Sequence, residues 1–495
     1  MKTAVYRTAL LMFSACVLAG AQTPAAAPPV DAAALARVAG AGLMQSQVNT
    51  TLEELSDDIG GRVTGSPQCN AAIQWALAKM REIGLANVHA EPWTLDHGWR
   101  RVSAEAELLA PVRHPLNVAS MGWVGSTPQG GVDADVVAVN IFDLAGEMKT
   151  HAAAWRGKVL LLRGEGQPPK NPMSVFTQLA AFLRAAHEAG AVAIIGGQSA
   201  RPAAGMELTH TGVLGFNTVF EIPVVNMGAE DQLQIERFLD RGKPVRMHMD
   251  VQNEISGPTP TANVVGDIPG REDPGQIVVI GGHLDSWDLA EGATDDGTGA
   301  VAALGAARAI LASGERPRRT VRVVLFTGEE QGLLGSLAYV QRHRADMANH
   351  VAAIILDEGQ GPIDSIEVGG HDKVIDELAP LTASLRGFGK LEIGDRSSFG
   401  TDAGPFILAG LPGINLGQDS PNYRYTHHSA ADTFDHVRPG VLIRNAAELG
   451  VLAYWAADRP QRLDAPWTPA QVAAELKAQH LDEELKAFGL WTFGN

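Results

Sequence analysis

The chain has 495 residues, 45% of them hydrophobic and 19% charged, with a formal net charge of −17. That length exceeds one ordinary domain, and the composition is that of a globular protein with ample core, not a disordered one. A balance this acidic, without a basic stripe, argues against nucleic acid or an anionic membrane surface as partner.

Met1–Ala21 sets Lys2 and Arg7 ahead of the apolar stretch Ala9–Ala19 and closes on Ala19-Gly20-Ala21. This is the layout of a signal peptide, and its apolar run is too short to span a bilayer, so export to the periplasm or beyond is expected. Cys16 raises the question of a lipid anchor, against which Phe13 stands where such signals usually carry Leu. Without the leader only Cys69 remains, so no internal disulfide forms. No other stretch reaches transmembrane length.

Residues 22–30 are an Ala/Pro-rich lead-in. Leu35, Val38, Leu43, Val48, Leu52 and Leu55 recur at helical spacing, which predicts a helix over 31–60. Ser66-Pro67 starts a further helix that Gly84 stops. Strands are predicted at Val88–Leu95 and Val102–Leu109. From about 115 to 256 the texture changes. Short strands (Asp135–Val139, Lys158–Leu162, Val192–Ile195, Ile222–Asn226, Val245–Asp250) surround one clear helix, Met173–Ala189, as in an inserted module with its own core.

After Gly257–Pro260 the β and α segments alternate. Strands fall at Asn263–Gly266, Gln276–Ile280, Arg319–Thr327, His350–Asp357 and Pro412–Leu416, and an amphipathic helix at Thr468–Leu490 closes the chain. The pattern predicts an α/β fold, a mostly parallel central sheet sandwiched by helices. The expected division is leader 1–21, first part of the main domain 22–114, insert 115–256, and second part 257–495.

Four strand ends carry the polar residues. Strand Gln276–Ile280 breaks at Gly281-Gly282 and presents His283 and Asp285, two residues apart and so on one side of an extended chain. Asp295 and Asp296 follow, ahead of the helical run Ala300–Ala309. Strand Arg319–Thr327 ends in Glu329-Glu330, strand His350–Leu356 in Asp357, and the apolar segment Gly410–Leu416 leads to a loop with His427-His428. Ligands of open α/β sheets bind outside the carboxyl ends of strands, so these residues are expected to converge. The types suit a pair of zinc ions roughly 3.5–4 Å apart, which need a bridging carboxylate and mixed His/carboxylate ligands. Of two adjacent glutamates, one can coordinate while its neighbour stays free to move a proton.

The segments GGHLDSWD, GATDDGTG, GEEQGLLGS, LDEG and YTHHSAADT together resemble the co-catalytic zinc exopeptidases, of the leucine aminopeptidase and glutamate carboxypeptidase type. GGRVTGSP at 60–67 is similar to the stretch by that family's first helices, and the insert resembles a protease-associated domain. The resemblance implies a secreted peptidase with two zinc ions acting on dipeptides or short peptides. His283 and Asp357 would hold one ion, Glu330 and His428 the other, with Asp295 bridging. Glu329 would be the general base, and Asp285 would orient the His283 imidazole. Asp296 would shape the backbone around Asp295, and His427 would help polarise the scissile carbonyl. Ser398, Gly400, Thr401 and Asp402 lie on a Gly-rich loop where Asp402 could take a free α-amino group. Tyr423 and Arg424 would form a far wall, Arg424 as a carboxylate clamp. The same resemblance implies a homodimer.

The alternatives are a broad-specificity aminopeptidase, an N-acyl amino acid deacylase on the same fold, and a binding protein that has lost its site. Related deacylases usually place a dimerising lid between the later ligands, whereas here the insert precedes His283. A binding protein would have lost ligands, and every ligand position is filled.

Overall fold

The computed structural model describes residues 31–170, 173–196, 208–385 and 387–494. The expected leader, Cys16 included, lies outside the described residues.

One eight-stranded sheet runs in the order Ala86–Leu95, Thr259–Ile268, Arg319–Phe326, Asp273–His283, His350–Leu356, Gly413–Gln418, Ile363–Glu367, Glu392–Gly394. Its middle is parallel, and antiparallel pairings appear toward both edges. The reason lies in the strand sequences. Every residue of Arg319–Phe326 is buried, but alternate residues face opposite layers. Val321, Val323 and Leu325 join the core under the helices Thr298–Ala312 and Pro439–Asp458, while Val324 and Phe326 join that beneath Leu334–Arg342. Helices thus cover both faces, as the alternating pattern requires.

A second eight-stranded sheet runs in the order His114–Leu116, Trp99–Ala110, Arg246–Ile255, Val132–Asn140, Lys158–Arg163, Ala193–Ile195, Val224–Met227, Val118–Ser120. Its cores lie on its two faces. The chain leaves the first sheet at Leu95 and re-enters at Thr259, and these two residues are paired neighbours. The second sheet therefore begins at Trp99, ahead of the expected boundary at 115, because Trp99–Ala110 pairs along its length with Arg246–Ile255. Local pattern identified that strand but could not say which sheet it joins.

Two helices differ from expectation in extent. The helix expected over 31–60 is two, Ala32–Met44 and Val48–Asp57, parted at the polar Gln45-Ser46-Gln47. The tail is likewise two helices, Pro469–Ala478 and Asp482–Ala487, parted near His480, whose φ is +59°. Both pieces bury leucines (Leu476, Leu485) against Leu333 and Phe399. Among the described residues no helix is long and apolar enough to cross a membrane.

Candidate metal centre

Strand Asp273–His283 lies between Arg319–Phe326 and His350–Leu356. After it the chain turns first to one side and then to the other, which makes its carboxyl end a topological switch point where neighbouring loops diverge and leave a crevice. His283 is the last residue of that strand.

There the sequence-distant residues meet around Asp295. His283 Nε2 lies 3.3 Å from Asp295 Oδ1 and 3.4 Å from Asp357 Oδ1. On the other side His428 Nε2 lies 3.3 Å from Asp295 Oδ2 and 2.9 Å from Glu330 Oε2. Glu329 Oε2 is 3.9 Å from His283 Nε2. Asp295 thus stands between two imidazoles that approach its different oxygens. His427 stacks on His428 with ring centroids 3.8 Å apart, and its Nε2 is 3.9 Å from Asp295 Oδ2.

The supporting bonds explain why these side chains are held. Asp296 accepts hydrogen bonds from the backbone N–H of His283 (3.1 Å) and of Gly299 (2.8 Å), tying the strand end to the start of helix Thr298–Ala312. A Cβ on Gly299 would lie 1.9 Å from the Leu356 carbonyl, so only glycine lets the start of this helix approach the end of strand His350–Leu356. The Trp287 indole donates to Glu330 Oε2 at 2.6 Å. Thr294 donates through both its N–H (2.6 Å) and its hydroxyl (2.7 Å) to Asp432, which fixes the turn before Asp295.

Asp285 differs in detail from the expectation. His283 Nδ1 is bonded to the backbone carbonyl of Asp285 at 2.9 Å, while its carboxylate stands 3.7 Å off. That carboxylate instead accepts from the Thr64 hydroxyl at 2.7 Å and faces the Glu329 N–H at 3.4 Å. The main chain therefore sets the imidazole, and the side chain ties the loop to Glu329. The reason is reach: a residue two along an extended chain offers its carbonyl to Nδ1 before its carboxylate.

The remaining candidates are spread more widely. Tyr423 packs edge-on to His427 at 5.0 Å. Asp402 is fully buried beside the centre, where burial, reinforced by Asp357 and Asp285 and opposed by the His283 imidazolium, pushes its carboxyl up to about 7. Gly400 of the same loop lines the cavity beside the centre. Arg424 is exposed and commits its guanidinium to Tyr425, donating to the hydroxyl at 2.6 Å and stacking 4.7 Å over the ring. It is not brought to the centre as a clamp.

Residues that sequence reasoning missed hold the loops from behind. Arg62 is completely buried and donates to the carbonyls of Leu284 (2.7 Å), Glu291 (2.6 Å), Gly292 (2.8 Å) and Gly60 (3.2 Å). One guanidinium therefore satisfies the loop between His283 and Asp295. The second unit also reaches the centre. The Thr211 N–H donates to the His428 carbonyl at 2.8 Å, and His210 Nδ1 is bonded to the His427 carbonyl at 2.9 Å. Arg101 anchors this contact by pairing with Asp288 at 2.9 Å and donating to the Thr211 hydroxyl at 3.1 Å. An Arg between two glycine-rich turns, in GGRVTGSP, was the available signal for Arg62. Nothing local marked Arg101.

The electrostatics are those of a crowded acidic site. Burial, together with Asp357, Glu330 and Asp402, holds the Glu329 carboxyl well above its usual range, and burial does the same to Glu330. Burial moves Asp357 up to about 6. Burial opposes the His283 imidazolium, but Asp357 and Asp295 outweigh it and hold that pKa well above the ordinary value. Burial lowers His428, leaving its ring neutral. Asp295 runs the other way: burial disfavours its charge, yet His283 and both neighbouring imidazoles keep it ionised.

Three sets of donor atoms lie within 4.8 Å of one another: His283 with Asp295 and Glu330, His283 with Asp296 and Asp357, and Asp295 with His427 and His428. Asp295 Oδ2 and Glu330 Oε1 are buried without a hydrogen-bond partner, a cost that a cation removes. Imidazole nitrogens mixed with carboxylate oxygens are zinc donors. The residues present fit the metal.

Fold and donor set together are those of a zinc-dependent hydrolase of the α/β sandwich class. Residues 263–452 match the model of peptidase family M28. Carboxypeptidase Q of Mus musculus is 31% identical over 438 residues, covering 87% of this chain and 90% of that protein, and the Pongo abelii carboxypeptidase Q is 32% identical with the same coverage. Among solved structures, the peptidase M28 precursor from Shewanella amazonensis SB2B superimposes with a TM-score of 0.78 at 30% identity, over 88% of this chain and 99% of that one. A zinc aminopeptidase from Bacillus subtilis shares the fold at 19% identity (TM-score 0.63; 85% of this chain, 97% of that one). The chain belongs to peptidase family M28.

Proposed function

We propose that the protein is an exported dizinc exopeptidase that hydrolyses the peptide bond of free dipeptides or short peptides. The observation that carries the reading is Asp295, whose two carboxylate oxygens face His283 and His428 separately, with Asp357 and Glu330 completing the two sides. A carboxylate so placed suits a bridge. Likeness to the carboxypeptidase Q proteins supports a peptide substrate, and the family resemblance of the sequence motifs supports the dipeptide preference and a homodimer. The layout of Met1–Ala21 supports export.

Two zinc ions would polarise the scissile carbonyl and acidify the attacking water. His283 and Asp357 would hold one, Glu330 and His428 the other. Glu329 would take the water's proton and pass it to the leaving amine, a role that requires a carboxylate close to the centre but free of metal. Its nearest imidazole contact is long, at 3.9 Å. Asp285 keeps Glu329 in place through the Glu329 N–H. His427 would meet the substrate carbonyl from the open side of Asp295.

The test is a matched panel given to the zinc-loaded protein: a free dipeptide, its C-terminal amide, its N-acetyl form and an aminoacyl-nitroanilide. Cleavage of the free dipeptide, with the acetylated form refused and the amide poor, is the expected result. Equal cleavage of amide and nitroanilide would make the enzyme a broad aminopeptidase. Glu329→Gln should lower kcat by about 10²–10⁴-fold with bound zinc unchanged. Parent-like activity in that variant would remove Glu329 from the mechanism.

A further inference from the structure

A second cleft, of about 320 Å³, opens at the joint between the two sheet units, apart from the cavity beside the centre. The first unit lines it with Ile59, Val63 and Gln68, and the second with the strand start Trp99-Arg100-Arg101. Asp288, from the loop between His283 and Asp295, lines it as well. None of these residues belongs to the donor sets of the metal centre.

The lining carries both signs of charge and keeps them within reach of solvent. Arg101 and Asp288 form an ion pair at 2.9 Å, their side chains 12% and 26% exposed. Arg100 pairs across the sheet with Glu254 at 2.6 Å, and both of those side chains are more than half exposed. Gln68 stands in the first turn of helix Pro67–Ile83, where backbone N–H groups lack a partner within the helix and the dipole favours an anion. The Ser66 cap accepts from the Cys69 N–H at 3.0 Å, not from that of Gln68. Trp99 is only 4% exposed, yet its indole N–H is buried without an acceptor among the described residues. A donor left so is costly, and an acceptor on an occupant of the cleft would remove the cost.

We propose that this cleft is a second binding site, one that takes a free α-amino acid as its zwitterion. A carboxylate and an ammonium on neighbouring atoms can lie antiparallel to the Arg101–Asp288 pair, each opposite the charge it needs. The carboxylate then also meets Arg100 and the helix end. An ion of one sign would be attracted by one member of the pair and repelled by the other. Ile59, Val63 and the Trp99 ring offer apolar surface to the side chain. The volume falls within the span of small-ligand sites, roughly 300–1,000 Å³. Free amino acids are what an exopeptidase releases, so the choice of ligand rests on the peptidase reading, whereas the cleft does not. Its walls are tied to the metal centre. A Cβ on Gly61 would lie 2.7 Å from Asp288 Cα, and the Arg62 N–H donates to Ser286 Oγ at 3.0 Å. Trp287, edge-on to Trp99 at 6.0 Å, donates to Glu330. An occupant therefore rests against the loops that carry the zinc donors.

The test is calorimetric titration of L-leucine into the zinc-loaded protein, with the centre blocked by acetohydroxamate, a zinc chelator. The parent should bind one leucine per chain, and the emission of the Trp99, Trp123 and Trp287 cluster should change along the same curve. Leucinamide and N-acetyl-leucine, each short of one charge, should bind at least about tenfold more weakly. Arg100→Glu should weaken leucine by a similar factor. Gln68→Trp, which fills the cleft from an exposed helix position, should abolish binding. No leucine binding to the blocked protein, equal binding of the three compounds, or parent-like binding in both variants overturns the site and leaves the peptidase standing. Leucine binding by a protein that cleaves no peptide overturns the peptidase reading and leaves the site standing.

Discussion

The two sheet units are alike locally and opposite in use. Each has a parallel middle, helices on its faces and loops after its strands. Yet among the described residues all three sets of side chains close enough to share an ion lie on the loops of the first sheet. In the second sheet the parallel strands Val132–Asn140, Lys158–Arg163, Ala193–Ile195 and Val224–Met227 follow one another in sequence order. Among the described residues no switch point arises in that run of strands, and its successive crossovers turn the same way. Its strand-end charge is spent locally: Arg163 pairs with Glu165 and Asp240. The difference teaches that the order of strands, more than their composition, decides where chemistry can be built. What the second unit contributes instead is contact, through Thr211 and Arg101.

That division can be broken at three places. The largest effect is expected at Arg62, which belongs wholly to the first unit. Arg62→Met leaves four carbonyls without their donor and should cost about 3–5 kcal/mol of stability, seen as a lowered denaturant midpoint, with zinc binding lost in parallel. A variant as stable as the parent would show that the loop between His283 and Asp295 holds itself.

A smaller effect separates the first unit's buried acids at the centre from one buried elsewhere. Glu448, on helix Pro439–Asp458, is 1% exposed, and burial moves its carboxyl up to about 7 against the pull of Arg444. The folded protein keeps this proton to about pH 7, whereas the unfolded chain releases it near the ordinary value of 4.5. Stability is therefore lost as pH rises from 4.5 to 7, by up to about 3 kcal/mol. Glu448→Gln should raise Tm relative to the parent at pH 8 and leave it unchanged at pH 4. An equal shift at both would locate the effect in packing and not in charge.

The smallest effect is expected at the joint between the units. Arg101→Met removes the anchor of Thr211 and should weaken zinc binding about 10–100-fold, the range for groups that orient metal ligands from behind, while costing about 1–2 kcal/mol in stability. Zinc titration and thermal unfolding of the same sample read the two separately. Unchanged zinc affinity would make the second unit's contact with His428 dispensable, and would sharpen the contrast between the two sheets.

The centre was legible where residue type and strand period coincided. His283, Glu329-Glu330 and Asp357 each follow an apolar run of strand length, and the strand-end rule brings them together without knowledge of the loops. The loop residues were harder. Arg424 carries the right chemistry in the right neighbourhood of sequence but is turned onto Tyr425, and no local signal distinguishes that outcome from a place at the substrate, while Asp402 is buried where Glu329 feels its charge.

By itself the sequence determined the α/β alternation, the buried strands and the clustering of His and carboxylate residues at strand ends, because these depend on side-chain period and on the chemistry of single residues. Tertiary structure alone decided that Trp99–Ala110 belongs to the second sheet, that a backbone carbonyl sets the His283 ring, and that Arg62 and Arg101 brace the centre. Each of these depends on contacts between residues far apart in the chain, Arg62 with Leu284 or Arg101 with Asp288 and Thr211. Such pairings leave no periodic trace, since a hydrogen bond across two loops constrains distance in space and nothing about spacing along the sequence.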